Sequence, residues 1–257
     1  MKVVIIGSGN VATVLGQRIK EAGNEILQVI GRSEEKAAVL ASYLNCSYAT
    51  NLLQVSGAAD LYILAISDNA IANVASELEL NSKLLVHTAA SVSKEVLAVA
   101  SDNYGILYPL QTLKTGIAYA LRIPIVVDGS STENISTLKA FASQWADEVI
   151  VAGDEERLKL HVAAVFVSNF TNHLFALAEQ YCNEEKLNFR LLRPLVEETI
   201  RRIEMVSPSA VQTGPAVRND TSTIQKHQSL LSEHPQLLQL YNDLSNSIFS
   251  FYSKGID

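Results

Sequence analysis

The sequence predicts an α/β chain in which a doubly wound, mostly parallel sheet is followed by an all-α C-terminal domain. Three observations carry this reading. Short β-branched runs alternate with helix-length segments from Lys2 to Gly153, a glycine turn follows the first run, and the strand-like runs cease after Gly153. Strands alternating with helices imply βαβ units around a parallel sheet. The division into domains therefore falls at 1–153 and 154–257.

The strand-like runs lie at 2–7, 25–31, 60–67, 83–88, 104–109, 123–129 and 147–153. Their continuous apolarity fits strands covered on both faces. Beyond them 155–186 reads as one long helix, and 194–206, 220–234 and 235–255 read as three more. Pro235 suits a first helical turn and Gly255 a helix end. The long helix is apolar nearly all round between Leu158 and Leu177, the pattern of a buried central helix.

Composition narrows the function. The chain has 257 residues, 48% hydrophobic and 18% charged, and shows no uninterrupted apolar stretch of membrane-spanning length (roughly 18 residues). Met1 leads directly into strand-like sequence with no secretory pattern, so a cytoplasmic protein with no membrane partner is expected. Cys46 and Cys182 lack the spacing of a metal or redox motif, so they read as reduced and structural, and no metal is expected. A net charge of -7 and a pI near 5.3 argue against nucleic acid, leaving a small molecule as the expected partner.

Gly7, Gly9 and Ala12 form G-x-G-x-x-A between a predicted strand and a predicted helix. The first glycine permits the tight turn, the second lets a pyrophosphate approach the backbone, and the alanine permits close helix–sheet packing. This is the dinucleotide turn of a Rossmann-type domain, with Gly7, Ser8, Gly9, Asn10 and Val11 as cofactor contacts. After the second strand, where an NAD-selective fold carries an acid, stand Gly31, Arg32 and Ser33. Arg32, Ser33 and Lys36 suit a 2′-phosphate, so NADP is expected; Ser33 also suits the cap of the next helix.

Ligands bind beyond the carboxyl ends of such strands. Ser67-Asp68-Asn69, His87 to Ser91 and Tyr108 to Thr112 stand there, and Ser67, His87, Thr88 and Pro109 are expected at the nicotinamide end. Asp68 and Asn69 also fit a helix cap, and His87 a core histidine.

The motifs "GSGNVA", "HTAAS", "YGILYPLQT", "AAVFVSNFTNHL" and "QTGPAVRND" resemble, in that order, proteins that join a Rossmann-like NADP-binding domain to the helical domain of unknown function 2520. The glycine motif is shared with the wider superfamily of 6-phosphogluconate and β-hydroxyacid dehydrogenases, pyrroline-5-carboxylate reductase, ketopantoate reductase and deazaflavin-dependent NADP oxidoreductase. The resemblance implies an NADP-dependent oxidoreductase that reduces a small carbonyl or imine bound between the two domains. Ketopantoate reduction is the concrete alternative, and a non-catalytic NADP-binding protein is the alternative of another class. Tyr108 stands where many members have histidine, and Ala89-Ala90 where they have Ser-Gly. The catalytic Lys-x-x-x-Asn of β-hydroxyacid dehydrogenases is absent, since Lys159 is followed four residues later by Ala163.

In the helical half, His161, Ser168, Asn169 and Asn172 interrupt the apolar helix at spacings that share one face. Asn169 and Asn172 are the expected catalytic positions, with His161 at the substrate. Thr213, Gly214 and Arg218 form a turn whose guanidinium suits an anionic substrate, and Asp220 suits either a pair with Arg218 or a helix cap. His227 lies on an inward face with Ile224 and Leu231, as a proton donor or a core histidine. The apolar helical half is expected to dimerise.

Overall fold

A computed structural model of the chain describes residues 1–116 and 122–253. It holds two compact units, Met1–Phe170 and Thr171–Asp257. In the first, β1 (Lys2–Ile6) leads through the glycine turn into α1 (Asn10–Glu21), and β2 (Glu25–Ile30) leads into α2 (Glu34–Leu44). Then come β3 (Ser47–Ala49), β4 (Leu61–Leu64), α3 (Asp68–Ser76), β5 (Leu84–His87) and β6 (Tyr104–Pro109). The unit continues with β7 (Pro124–Gly129), α4 (Thr132–Ala142), β8 (Glu148–Val151) and α5 (Asp154–Ala164).

The strands pair in the order β3-β2-β1-β4-β5-β6-β7-β8, all parallel except β6 against β7. Every predicted strand is present. The addition is β3, whose three residues are too short to display a period. Strand order reverses between β1 and β4, so the crevice that binds ligands in open α/β sheets opens at their carboxyl ends.

Alternation along the strands covers both faces, because successive side chains point to opposite sides. Val3 and Ile5 pack with Leu15 of α1, Leu40 of α2 and Phe141 of α4. Val4 and Ile6 pack with Ile71 and Ala75 of α3. Further along that second face, Ile106 and Tyr108 of β6 pack with Val126 and with Leu160 of α5.

After α5 the chain makes a π-helical turn, Val165–Phe170, which closes the first unit. The second unit comprises α6 (Thr171–Glu184), α7 (Arg193–Met205), α8 (Thr221–Leu230) and α9 (Pro235–Ser253). Pro235 opens α9 as expected; Gly255 lies outside the described residues. His234 ties the start of α9 to the end of α6 through Glu184 and Glu185, each at 3.0 Å.

One expectation is corrected. Along the apolar run Asp154–Glu184 large apolar side chains are left uncovered by the described residues: Phe166 is 63% exposed, Val167 76% and Phe170 51%. An 18-residue window in it has a mean hydropathy of 1.3, which by length and composition alone is enough to cross a membrane. The apolar pattern reports that the helix is to be covered and says nothing about what covers it.

Candidate functional site

Two glycines in the β1–α1 turn are required for different reasons. Gly7 has φ +131, and a Cβ on it would stand 2.1 Å from the Ala65 carbonyl oxygen. Its N–H donates to Ile30 O at 2.7 Å, so the turn is tied to the end of β2. Gly9 has an ordinary extended backbone (φ -92, ψ -170), and a Cβ there would meet none of the described residues within 4 Å. Among the described residues nothing demands a glycine at position 9. A phosphate pressed against the backbone does.

The start of α1 supports the same ligand. Gly9 gives this helix no side-chain cap, whereas Ser33, Ser131 and Asp220 cap α2, α4 and α8. The first-turn N–H groups of α1 and its positive dipole end are thus free for an anion. Asn10 is held from the other side, its Oδ1 accepting from Thr115 Oγ1 at 2.9 Å. Beside the turn opens a cavity of about 860 Å³, lined in part by Ser8, Gly9, Asn10, Thr13 and Lys36. Gly31, given no role from sequence, keeps Ser8 in place: a Cβ on it would stand 2.8 Å from Ser8 Oγ. These residues fit a dinucleotide pyrophosphate.

Directly after β2, Ser33 Oγ accepts from Lys36 N at 3.4 Å, so the capping reading of Ser33 is realised. Its hydroxyl hydrogen stays available, and Arg32 and Lys36 are exposed cations next to it. Arg32→Asp is therefore expected to weaken NADPH at least tenfold while changing NADH little, because repulsion replaces a charge-assisted bond to the 2′-phosphate. Equal affinities for both nucleotides before and after the substitution, by fluorescence titration, would place the phosphate elsewhere.

The carboxyl ends of β4 and β5 are bound to each other. Asp68 Oδ2 accepts from Ser91 Oγ at 2.6 Å, and Thr88 N donates to Leu64 O at 3.2 Å. Ser67 is exposed before α3 and makes no cap, while Pro109 is buried at the end of β6. His87 is corrected: its side chain is 0% exposed, so it is a core histidine and not a cofactor contact. Nδ1 accepts from Ala89 N at 3.2 Å, and Nε2 lies 3.4 Å from Ser93 O.

Burial pushes the His87 imidazole down to about 4, the Ser93 carbonyl opposing and Arg157 adding to it. An unfolded histidine titrates near 6.5, so across that window the unfolded chain binds a proton that the folded one refuses. Stability should fall as pH drops from about 6.5 to about 4, and less steeply in His87→Gln. Denaturant midpoints measured through that range check it; parallel curves for both proteins would acquit His87.

Helix α5 and the π-helical turn after it lie on these strand ends through three polar side chains. Arg157, 1% exposed, donates from Nε to Ala90 O at 3.0 Å and from Nη2 to Val92 O at 2.6 Å and Asp154 Oδ1 at 2.9 Å. His161 Nδ1 stands 3.1 Å from Tyr108 Oη. Ser168, in the π-helical turn, meets Thr112 Oγ1 at 2.8 Å. Asn169, expected in the reacting position, is exposed beside it. The wider π turn shifts the phase of the helix, so equal α-helical spacing does not hold across it. Lys159, by contrast, pairs with Glu155 on the outer surface.

In the second unit, Asn172, Thr213 and Arg218 are exposed, and Gly214 takes φ +112 in the turn the sequence implied. Asp220 caps α8, accepting from Thr223 N at 3.1 Å and Thr223 Oγ1 at 2.8 Å. Those bonds hold its carboxyl below the usual range. His227 Nδ1 lies 2.8 Å from Tyr241 Oη, joining α8 to α9.

With that geometry in view, comparison with known proteins is decisive for the family. The family described as NADP oxidoreductase, coenzyme F420-dependent, matches residues 2–91, and the domain of unknown function DUF2520 matches residues 123–248. A crystal structure of BF3122 from Bacteroides fragilis, named provisionally as an NADP oxidoreductase, is 38% identical. The match covers 97% of this chain and 98% of that one, with a TM-score of 0.90. The chain belongs to this family of NADP oxidoreductases. This chain pairs an NADP-binding Rossmann unit with a DUF2520 region, and the cofactor is NADP. More distant structures share the fold. The 1-pyrroline-5-carboxylate reductase of Streptococcus pyogenes is 15% identical over 97% of this chain and 98% of its own, with a TM-score of 0.65. A reductive aminase from Aspergillus terreus in complex with NADPH and ethyl-5-oxohexanoate is 16% identical over 99% and 94%, with a TM-score of 0.71. No curated protein sequence matches the chain.

Proposed function

We propose that the protein uses NADPH to reduce the C=N or C=O bond of a small substrate. The observation that carries this is the pairing of an open Gly9 with an uncapped α1, beside the exposed Arg32. Bound there, NADPH supplies a hydride, and the protein's part is to place the substrate and manage a proton. The strand ends that would receive the substrate are built for it, with Asp68, Ser91, Tyr108 and Thr112 all engaged in side-chain hydrogen bonds. A pyrroline-5-carboxylate reductase and a reductive aminase share the fold, which favours an imine over the keto group of ketopantoate. Asn169, exposed beside Ser168 at these strand ends, is the residue we assign to orienting the reacting group. The setting in this reading is the cytoplasm, where Cys46 and Cys182 stay free thiols.

We further propose a homodimer. Besides the uncovered Asp154–Glu184 run, α7 exposes Leu195 at 65%, Ile203 at 44% and Met205 at 73%. Apolar surface of this extent on one chain marks an association face, and a second copy brings a face of the same chemistry. Light scattering at micromolar concentration should give twice the chain mass; a monomeric mass would contradict it.

The function is tested by following NADPH oxidation with cyclic imines, imines formed from ketones and amines, and 2-oxo acids. Turnover with an imine is expected. Tight NADPH binding without turnover across the panel would favour a non-catalytic NADP-binding protein.

A further inference from the structure

We propose that Tyr108 is the proton donor of this reduction and that His161 positions and reloads it, an inference that rests on the reductase reading above. Tyr108 is the penultimate residue of β6, at the carboxyl edge of the sheet, where a substrate facing the nicotinamide must lie. Its Oη stands 3.1 Å from His161 Nδ1, and the two rings meet edge to face with centroids 6.1 Å apart.

The pair is held from both sides. One turn before His161, the buried Arg157 grips Ala90 O and Val92 O. Beyond it, Ser168 bonds to Thr112, four residues past Tyr108. Helix α5 and the π turn after it are therefore pinned to the segments that follow β5 and β6, through contacts that involve neither ring. The π-helical turn between Val165 and Phe170 brings Ser168 round to Thr112, and such turns concentrate at functional sites.

Phenol chemistry sets the direction of transfer. Among the described residues, His161 is the hydrogen-bond partner of Tyr108 Oη. When Nδ1 carries a hydrogen it donates to Oη, and the phenolic hydrogen is then free for a third atom. Hydride arriving at the carbon of C=N or C=O leaves an electron pair on nitrogen or oxygen, which must take up a proton. The O–H bond of Tyr108 breaks as the N–H or O–H bond of the product forms, and the Nδ1 hydrogen of His161 moves to Oη as its half-buried ring takes a proton from water at Nε2. Burial raises the phenol above its ordinary range, with Arg157 opposing and Asp68 adding, so the donor stays loaded.

Tyr108→Phe, which keeps the ring and removes only the hydroxyl, tests this. With the imine and 2-oxo acid panel, kcat should fall about 100-fold or more, as expected for loss of a general acid. The dissociation constant for NADPH, read by fluorescence, should not change. His161→Phe should lower kcat by about tenfold, with partial rescue in His161→Gln, which retains a side-chain donor. A substrate-free readout is nitrogen NMR of the His161 ring, whose Nδ1 resonance should shift in Tyr108→Phe. Wild-type turnover with Tyr108→Phe within threefold of it, or an unmoved Nδ1 resonance, would overturn the donor assignment and leave the reductase reading standing. Wild-type protein that binds NADPH and reduces nothing in the panel would overturn both.

Discussion

Gly7→Ala is expected to remove both stability and cofactor binding, whereas Gly9→Ala is expected to remove only the second. At position 7 the new methyl meets the Ala65 carbonyl at 2.1 Å while the backbone stands at φ +131. Strain of a non-glycine residue in such a region is about 1–3 kcal/mol, and β4 must also shift to relieve the clash. A loss of about 3 kcal/mol or more follows, which for a domain of this size lowers Tm by roughly 6–12 °C. At position 9 the methyl enters open space on a backbone that any residue adopts, so Tm should stay within about 2 °C of wild type. That same methyl occupies the place of the pyrophosphate. Losing one or more charge-assisted bonds of about 1.5–3 kcal/mol lowers NADPH affinity roughly 10- to 100-fold. The contrast is the diagnostic: Tm loss at position 9, or unchanged NADPH affinity there, would mean the turn serves packing alone.

The two glycines also show how far the sequence could be read. G-x-G-x-x-A after a strand announces a turn and a phosphate, because both depend on local backbone geometry that neighbouring residues dictate. The seven longer strands are legible for the same reason: an apolar run between turn residues can be little else when helices alternate with it. What lies in contacts between distant segments is hidden. Tyr108 and His161 are 53 residues apart, and only the folding of α5 back over β6 makes them a pair. Arg157 sits in the charge run "DEERLK", yet it is among the most buried side chains of the molecule. His87 shows the opposite error, a polar residue at a strand end that points into the core. The long helix was legible as apolar and not as uncovered, since hydrophobicity names no partner.

Arg157→Met is expected to be the most damaging substitution outside the glycine turn, because one side chain holds three acceptors at once. Ala90 O and Val92 O lie in the loop after β5, and Asp154 begins α5, so the guanidinium fastens the helix to the strand-end loop. Methionine fills comparable volume and donates nothing. Each bond from a charged donor is worth about 1.5–3 kcal/mol, and carbonyls left buried add desolvation, so a loss of roughly 3–5 kcal/mol is expected. Arg157→Lys should recover only part of it, since an ammonium lacks the fork that reaches three acceptors at once. The pH dependence should change as well. Burial raises the Asp154 carboxyl, but bonds from Ser93 and Arg157 outweigh it and hold it below the ordinary carboxylate value. A carboxyl depressed in the folded state contributes stability above its unfolded value, lost as pH falls through the folded one, and Arg157→Met should shrink that acid limb. Denaturant unfolding at neutral and acid pH measures both effects. An Arg157→Met protein as stable as wild type, with the same acid limb, would show that α5 is held to the strand ends by its apolar contacts alone, and the placement of His161 beside Tyr108 would then lose its main support.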